Sequence, residues 1–422
     1  MNNPSQQQWH QSRMNREARF RWYGRSALIF SVLMLAILLG SIASRGYLGF
    51  VQTQIKLPIV YDAKLLAPEE GQTIMDISAS GYNRLVQAAL RAEFPEVTDQ
   101  TQLHRLYALV SLSAGGQLKH QLATAPDLLS HATDIWVPAA SDVDQCIKND
   151  LLCLKQSNDR LNDEQIIWLR QLDEKGQVHL AFNRNFFTHG DSRTPEQAGF
   201  LGAITGSLLT LAICLLASFP IGVMTAVYLE EFAHKGKFVD IIEVNINNLA
   251  AVPSIVFGLL GLAVYINMMH MPRSAPLVGG LTLALMILPV IIIATRASLE
   301  AVPPSVRDAA RALGASPLQV VCHHALPLSM PGIMTGTILG MARAIGETAP
   351  LLMIGMVAFV VDTPTGFSSP STVMPVQIYL WGSSPELGFA EKTAAGILVL
   401  LVLLLAMNAL AIFLRKRFET RW

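Results

Sequence analysis

The stretch Ile397–Leu414 reads ILVLLVLLLAMNALAIFL and contains no charged side chain. A helix rises about 1.5 Å per residue and the hydrocarbon core of a bilayer is about 30 Å thick, so about 20 apolar residues cross it once. Extended at its start to Thr393–Leu414, the stretch is long enough for one crossing. It predicts a transmembrane helix.

Five other apolar stretches precede it. Together with Thr393–Leu414 they predict a polytopic α-helical membrane protein with six transmembrane helices, the first five being Ser26–Ser44, Leu201–Leu229, Leu249–Ile266, Leu277–Thr295 and Gly332–Val360. The composition agrees, because 51% of residues are hydrophobic and only 15% are charged, against about 25% in soluble domains. The 31 basic and 31 acidic side chains cancel, which argues against a chain that coats nucleic acid.

Lysine and arginine indicate on which side of the membrane each short loop lies, because they are enriched in cytoplasmic loops. They cluster in both tails and in the loops between spans two and three and spans four and five: Arg13, Arg16, Arg19, Arg21, Arg25, Lys235, Lys237, Arg307, Arg311, Arg415, Lys416, Arg417 and Arg421. This pattern predicts cytoplasmic N and C termini. A cleaved signal peptide, ending near Ser41-x-Ala43, is an alternative that would leave five spans.

Residues 46–198 form a polar insert between the first two spans. They hold 13 basic and 19 acidic side chains, and the charge pattern of the loops places them outside the cytoplasm. A segment of this length is expected to fold as a domain. Apolar periodicity predicts strands and helices in a mixed α/β fold, with strands over Gln52–Asp62 and Gln177–Phe187 and helices over Tyr82–Phe94, Leu103–Leu112 and Asp163–Leu172.

Two of the four cysteines, Cys146 and Cys153, lie in the insert. An oxidising compartment would allow a disulfide between them. On one continuous helix they would be about 10 Å apart, too far to bridge, but Asn149-Asp150 offers a turn between them. The bridged and the free forms both stay open. The sequence shows no metal-ligand spacing, and we expect no metal and no cofactor.

The loop after span four carries complete signals for short helices. Ser305 followed by Asp308 predicts a helix start, and Gly314 suits the left-handed position just past a helix end. Ser316-Pro317 then predicts the start of a second short helix. A plain connector rarely carries both kinds of signal, so the loop is predicted to hold a compact helix against the membrane.

Span five contains two charges at membrane depth, Arg343 and Glu347, one turn apart on one helix face. Beside them small residues recur every fourth position, at Gly332, Gly336, Gly340, Ala344 and Thr348, a pattern that lets another helix approach closely. Two interpretations stay open. Either the pair neutralises itself and stabilises packing, or Arg343 offers its guanidinium to a passing oxyanion.

Three motifs resemble those of known transporters. Asp308-Ala309-Ala310, then Gly314, then Leu326-Pro327 resembles the EAA loop of ATP-binding-cassette importer permeases, with Asp308 in place of Glu and His324 in place of Ile. Two further segments resemble those of phosphate-import permeases: Arg343-Ala344-Ile345-Gly346-Glu347-Thr348-Ala349-Pro350 and Ala251-Val252-Pro253-Ser254-Ile255-Val256-Phe257-Gly258. The resemblance covers the first span and residues 199–422.

The resemblance implies the type I importer permease fold, divided into a tail with the first span (1–45), the insert (46–198) and a permease core (199–422) with an ATPase-coupling loop (298–330). Arg343, Glu347, Thr348 and Ser254 are then expected on the substrate pathway. Asp308, Ala309, Ala310, Gly314, Leu326 and Pro327 are expected in the coupling loop.

The implied function is that of one of two permease subunits of an ATP-driven phosphate importer in a bacterial inner membrane. The implied partners are a companion permease, a pair of ATPase subunits, a periplasmic phosphate-binding protein, a regulator and membrane lipid, but no nucleic acid. The chain lacks a G-x-x-x-x-G-K-[ST] phosphate loop, so it is expected not to be an enzyme. A permease for sulfate or molybdate, and a sensor or scaffold that signals phosphate status, are the alternatives.

Overall fold

A computed structural model describes residues 4–66, 77–129, 131–148, 161–234, 236–357 and 359–418. Its first element is a single long helix, α1 (Pro4–Gly49), which contains the predicted span Ser26–Ser44. The helix extends beyond the apolar stretch on its N-terminal side, where Arg21 and Glu17 form an ion pair one turn apart. Such pairs support a helix in water.

The insert contains an antiparallel three-stranded sheet in the described residues, in the order β2 (Ala132–Pro138), β1 (Val51–Val60) and β3 (Val178–Phe182). In β1 the alternating residues Ile55, Leu57 and Ile59 are fully buried, as expected for a strand with one face on a core. In the part of the insert that the structure describes, seven α-helices accompany the sheet: α2 (Ala63–Leu66), α3 (Ala79–Glu93), α4 (Gln100–Tyr107), α5 (Ala114–Thr124), α6 (Ser141–Lys148), α7 (Asp163–Glu174) and α8 (Asn185–Thr188).

The predicted elements of the insert are confirmed in kind, with two corrections of length. The helix predicted over Leu103–Leu112 ends at Tyr107, because Val110 pairs with Ala139 at the edge of the sheet. The strand predicted over Gln177–Phe187 ends at Phe182. The following Asn183 accepts a hydrogen bond from the Phe186 backbone N–H, which favours the short helix α8.

The remainder is helical. In chain order it comprises α9 (Leu201–Val227), α10 (Lys237–Ala250), α11 (Ser254–Gly261), α12 (Pro276–Glu300), α13 (Pro304–Ala312), α14 (Pro317–Val320), α15 (Leu326–Gly346), α16 (Ala349–Met353), α17 (Met374–Gly382) and α18 (Gly388–Phe418). Three π-helical segments extend α9, α11 and α14, over Tyr228–Phe232, Leu262–Met268 and Val321–Ala325.

Within the described residues, five helices are long and apolar enough to cross a membrane: Arg16–Gly49, Leu201–Phe232, Pro276–Glu300, Pro317–Gly346 and Gly388–Arg417. A sixth crossing is available only if the bent pair α10 and α11 counts as one span. Helix α12 has the largest buried share of the five, because α9, α11 and α15 pack around it.

Two predicted spans are wrong in their continuity. Leu249–Ile266 straddles a 100° bend between α10 and α11, where Pro253 lacks an N–H and its ring would clash with the carbonyl four residues earlier. Gly332–Val360 ends as a helix at Gly346. There Pro350 has the same effect on the carbonyl of Gly346, and the chain restarts in the short α16.

The small-residue stripe of span five lies against α12, as its spacing predicts. Gly332 faces Ser298, Gly336 faces Ala294 and Gly340 faces Ile287. A Cβ at Gly340 would lie 2.7 Å from Ile287 Cγ2. The absence of side chains at these positions therefore sets the separation of the two helices.

The insert is joined to the helical part by a buried junction. Lys148 of α6 pairs with Glu391 of α18 at 3.0 Å and with Asp144 at 2.7 Å, and its side chain is 4% exposed. The same junction contains stacked, tilted and edge-on aromatic rings: Phe50, Phe186, Phe200, Trp381 and Phe389. The insert is thus packed against the ends of α9, α17 and α18 rather than tethered at a distance.

Two carboxyl groups in the segment that precedes α9 belong to the same junction. Burial raises the pKa of Asp191 and that of Glu196 above their usual range. Asp191 accepts a hydrogen bond from Trp381 Nε1 at 3.0 Å, which lowers its pKa against the effect of burial. These contacts attach the end of the insert to α17.

Candidate functional site

The charged pair of span five lies at the C-terminal end of α15. Arg343 is in the last turn, and Glu347 directly follows Gly346, the last residue of the helix. Arg343 Nε lies 3.3 Å from Glu347 Oε1, and the two side chains are 47% and 19% exposed. The predicted placement of both charges on one face is confirmed.

The Arg343 guanidinium uses only part of its hydrogen-bonding capacity. Within the described part of the chain its single hydrogen bond runs from Nε to Glu347, so the two terminal nitrogens remain available. A guanidinium presents five N–H donors in a planar fork that matches two oxygens of an oxyanion. The arrangement can therefore bind an oxyanion on the open side of α15 while Glu347 holds the fork in place.

The two motifs that resemble phosphate-import permeases meet in the fold. Their last residues are in contact, since Gly258 of α11 lies so close to Pro350 of α16 that a Cβ there would be 2.6 Å from Pro350 Cα. Ser254 is the first residue of α11 and Thr348 directly precedes α16. Both are partly exposed, and in the described residues no hydrogen bond joins either hydroxyl to Arg343 or Glu347.

The coupling loop contains the compact helix that its sequence predicts, with one correction at its start. Helix α13 begins at Pro304 with Pro303 before it, so Ser305 lies inside the first turn and does not cap the helix. Proline suits the first helical position, since the N–H that it lacks would be unpaired there. The predicted capping role of Ser305 with Asp308 is wrong.

The end of α13 is as predicted. Gly314 has φ of +85°, its N–H bonds to the carbonyl of Arg311, and the Ala315 N–H bonds to that of Ala310. These two bonds form a Schellman motif, which closes the free carbonyls of a helix end. Ser316 then caps α14: its hydroxyl accepts a hydrogen bond from the Gln319 backbone N–H, and the Gln319 side-chain oxygen accepts one from the Ser316 backbone N–H.

The second short helix predicted after Ser316 is not separate. Helix α14 runs through the π segment Val321–Ala325 into α15, and Leu326-Pro327 opens that long helix. Pro327 and Pro331 each remove one backbone donor. A wider π turn accommodates such a loss without ending the helix. The coupling loop is therefore continuous with the helix that carries Arg343.

The outer surface of the coupling loop is exposed. Asp308 is 71% exposed, Leu313 is 90% exposed and Leu318 is 62% exposed. Ala309 is exposed, whereas Ala310 is buried beneath the helix. Two leucines beside a carboxylate at a loop tip form a surface suited to a partner protein. Leu313 was not singled out by its motif, and exposure of a large apolar residue is not visible in sequence.

On the inner face of α13, a buried ion pair that no sequence pattern predicted joins this helix to the end of α9. Arg307 Nη2 lies 2.7 Å from Glu231 Oε1, and the two side chains are 13% and 7% exposed. Arg296 of α12 pairs with Glu243 at 2.7 Å and with Glu230 at 3.4 Å. The partners are 53 or more positions apart in the chain, so only the fold brings them together.

The remaining predicted site concerns the cysteines. Cys146 is disulfide-bonded, whereas Cys214 and Cys322 carry free thiols. Cys153 lies outside the described residues, so its pairing with Cys146 stays a prediction. In the part of the chain that the structure describes, no group of three His, Cys, Asp or Glu side chains is arranged to hold a metal ion.

Two family models match different parts of the chain. A family model described as the binding-protein-dependent transport system inner membrane component matches residues 218–422. A second model, described as a domain of unknown function (DUF3333), matches residues 7–152. The first match contains the coupling loop and the charged pair, and the second contains most of α1 and much of the insert.

Curated relatives are also similar to the chain. The phosphate transport system permease protein PstA of Haemophilus influenzae is 30% identical over 239 residues, which are 57% of this chain and 82% of that protein. PstA 1 of Mycobacterium tuberculosis (strain H37Rv) is 33% identical over 224 residues, 52% of this chain and 71% of that protein. A solved structure of the MetNI methionine ABC transporter aligns with a TM-score of 0.41 and 17% identity, covering 51% of this chain and 95% of that one.

Proposed function

The chain belongs to the family of phosphate transport system permeases PstA, and from this premise we propose that it forms half of the translocation pathway of a high-affinity importer of inorganic phosphate. The proposal rests above all on Arg343, whose terminal nitrogens have no hydrogen-bond partner among the described residues and whose side chain is almost half exposed on α15. The pathway side chains are Arg343 and Glu347, with Ser254 and Thr348 as nearby hydroxyl donors.

The proposed assembly lies in the bacterial inner membrane, with both termini in the cytoplasm and the insert on the periplasmic side. The bent pair α10 and α11 supplies the sixth crossing. The companion permease PstC provides the other half of the pathway, a dimer of the ATPase PstB binds the coupling loop, and the binding protein PstS delivers phosphate. A PhoU-type regulator joins the complex from the cytoplasmic side.

In this assembly the work of ATP is transmitted through the coupling loop to the pathway. The ATPase contacts Asp308, Leu313 and Leu318 on the exposed surface of α13 and α14. Because α14 continues into α15, a tilt of the loop moves the helix that carries Arg343. The pathway then opens to one side of the membrane at a time.

The charges of the site favour a protonated oxyanion. Near pH 7 phosphate retains at least one proton, which Glu347 can accept as a hydrogen bond while Arg343 pairs with the ionised oxygens. Sulfate has no proton to donate, and its charge would face the Glu347 carboxylate unrelieved. A site built around a donor of the substrate discriminates strongly against an analogue that lacks it.

The test is uptake of radiolabelled phosphate, with sulfate as competitor, in cells that lack this chain and are complemented by wild type or by Arg343→Ala. Hydrogen bonds to charged groups contribute about 1.5–3 kcal/mol, so we expect uptake to fall by about tenfold to a hundredfold. Copurification with the partner subunits should be unchanged. Sulfate in excess should not compete.

The other outcomes separate the alternatives. If Arg343→Ala prevents assembly, the pair serves packing and not the pathway. If sulfate competes with phosphate, the chain belongs to a transporter of broader oxyanion selectivity. If deletion leaves uptake unchanged when other phosphate transporters are absent, the sensor function replaces transport.

A further inference from the structure

Two arginines and three glutamates from four helices form ion pairs beside the coupling loop. Glu230 and Glu231 come from the π segment that ends α9, and Glu243 comes from α10. Arg296 belongs to α12 and Arg307 to α13. The network therefore joins helices that are distant in the sequence.

Arg307 is the most connected member. Its Nε and Nη2 donate to Glu231 Oε1 at 3.1 and 2.7 Å. Nη2 also donates to the Leu299 carbonyl at 2.8 Å, and Nη1 donates to the Val302 carbonyl at 2.7 Å. The Leu299 carbonyl lies in the last turn of α12 and the Val302 carbonyl in the linker that follows, and carbonyls at a helix C-terminus favour a cation. One guanidinium thus binds α9, α12 and α13 together.

The two faces of α13 differ sharply in exposure. Arg307 faces inward and is 13% exposed, whereas its neighbour Asp308 faces outward and is 71% exposed. Adjacent residues of a helix point about 100° apart, so one turn of α13 presents a docking surface on one side and an anchor on the other.

Two neighbouring glutamates in the π segment of α9 pair with different arginines. Glu230 lies 3.4 Å from Arg296 and Glu231 lies 2.7 Å from Arg307. Single π turns widen a helix locally and are frequent at functional sites. Here the wider turn lies where α9 meets both arginines.

The covalent route from α13 leads only to α12 and to α15. Three residues, 301–303, separate α13 from α12, whereas Glu231 precedes Arg307 by 76 positions. A displacement of α13 has no short covalent route to α9. Noncovalent contacts must carry it, among them the packing of α9 on α12 and the Glu231–Arg307 pair, which reaches α13 directly.

We propose that the Glu231–Arg307 pair is a positioning link that makes α9 move with the docking helix α13, with the Arg296 contacts adding α10 to the same unit. This inference rests on the proposed function, since it assigns a route to the coupling that the importer requires. We assign neither side chain a contact with phosphate or ATP. Their role is to keep the helices of the pathway in step with the coupling loop.

The test uses the full transporter complex in proteoliposomes, with inorganic phosphate as substrate, and measures phosphate transported per ATP hydrolysed. Glu231→Gln and Arg307→Gln should each lower this ratio by about tenfold, which corresponds to about 1.4 kcal/mol, while ATP hydrolysis continues. Arg307→Lys keeps the charge without the planar fork and should recover only part of the ratio. The matched control is Asp240→Asn, an exposed carboxylate on α10, which should leave the ratio unchanged.

The exchanged pair Glu231→Arg with Arg307→Glu guards against a purely structural effect. It restores opposite charges but not the bonds from position 307 to the Leu299 and Val302 carbonyls, so it should raise the ratio above that of either single variant without reaching that of wild type. An unchanged ratio in the single variants overturns the link, and so does loss of assembly in both single variants and the exchanged pair. If wild-type complex moves no phosphate in the same vesicles, the proposed function itself fails, and that result is distinct from the others.

Discussion

At the scale of single residues, Gly314 sets the geometry of the coupling loop. Its φ of +85° lies in the left-handed region, which costs an L residue about 1–2 kcal/mol and a β-branched residue the most. A Cβ at this position would meet no atom within 4 Å. The cost of a substitution would therefore come from the backbone alone.

We predict that Gly314→Val uncouples ATP hydrolysis from uptake, because valine favours a φ that opens the Schellman motif and displaces α14 relative to α13. Phosphate uptake by complemented cells should fall severalfold while the complex still assembles. Gly314→Asn is the matched control, since asparagine tolerates the left-handed region better than valine. Equal uptake in the valine and asparagine variants would mean that the turn does not constrain coupling.

At the scale of elements, the contact between α12 and α15 depends on the absence of side chains. Gly336 lies directly against Ala294, in the middle of the stripe that begins at Gly332. In a membrane such close approach supplies much of the packing energy between helices. Both helices also connect to the coupling loop, so their separation affects the site as well as stability.

We predict that Gly336→Leu destabilises the protein, because the added side chain forces α12 and α15 apart. Overpacking of this kind costs about 1–3 kcal/mol, which should appear as a lower unfolding temperature in detergent and a lower yield from membranes. Gly40→Leu is the control, since Gly40 has no atom near its missing Cβ. A similar loss from both variants would attribute the effect to membrane insertion and not to helix contact.

Features that neighbouring residues determine could be predicted from the sequence, whereas contacts between residues that are distant in the chain could not. The stripe, the turn at Gly314 and strand β1 follow from short-range periodicity and backbone preference, and the structure contains all three. The end of α15 before Pro350 was missed because hydropathy averages over the very residues that interrupt the helix. The pairing of Glu231 with Arg307, 76 positions apart, could not be predicted from local sequence. The contact of Gly258 with Pro350 could not be predicted from it either.

At the scale of the whole molecule, the insert and the helical part act as one packed body through Lys148. This ammonium group lies between two carboxylates, Asp144 and Glu391, whose side chains are 14% and 12% exposed. Asp144 also accepts a hydrogen bond from the Thr53 backbone N–H at 2.7 Å. Lys148 and its two carboxylate partners thus connect strand β1, helix α6 and the start of α18.

We predict that Lys148→Met loosens the insert from α18, because methionine fills a similar volume but leaves the partly buried Asp144 and Glu391 without the cation that pairs with both. Removing one partner of a buried ion pair costs about 3–5 kcal/mol. Limited proteolysis of the purified protein should cleave between the insert and α9 faster than in wild type, and the unfolding temperature should fall. Lys56→Met is the matched control, since Lys56 pairs with Asp134 on the surface, where such pairs contribute about 0–1 kcal/mol. Equal proteolysis rates for the two variants would show that the aromatic residues of the junction hold the insert in place without the ionic group. The insert would then remain docked when Lys148 is replaced.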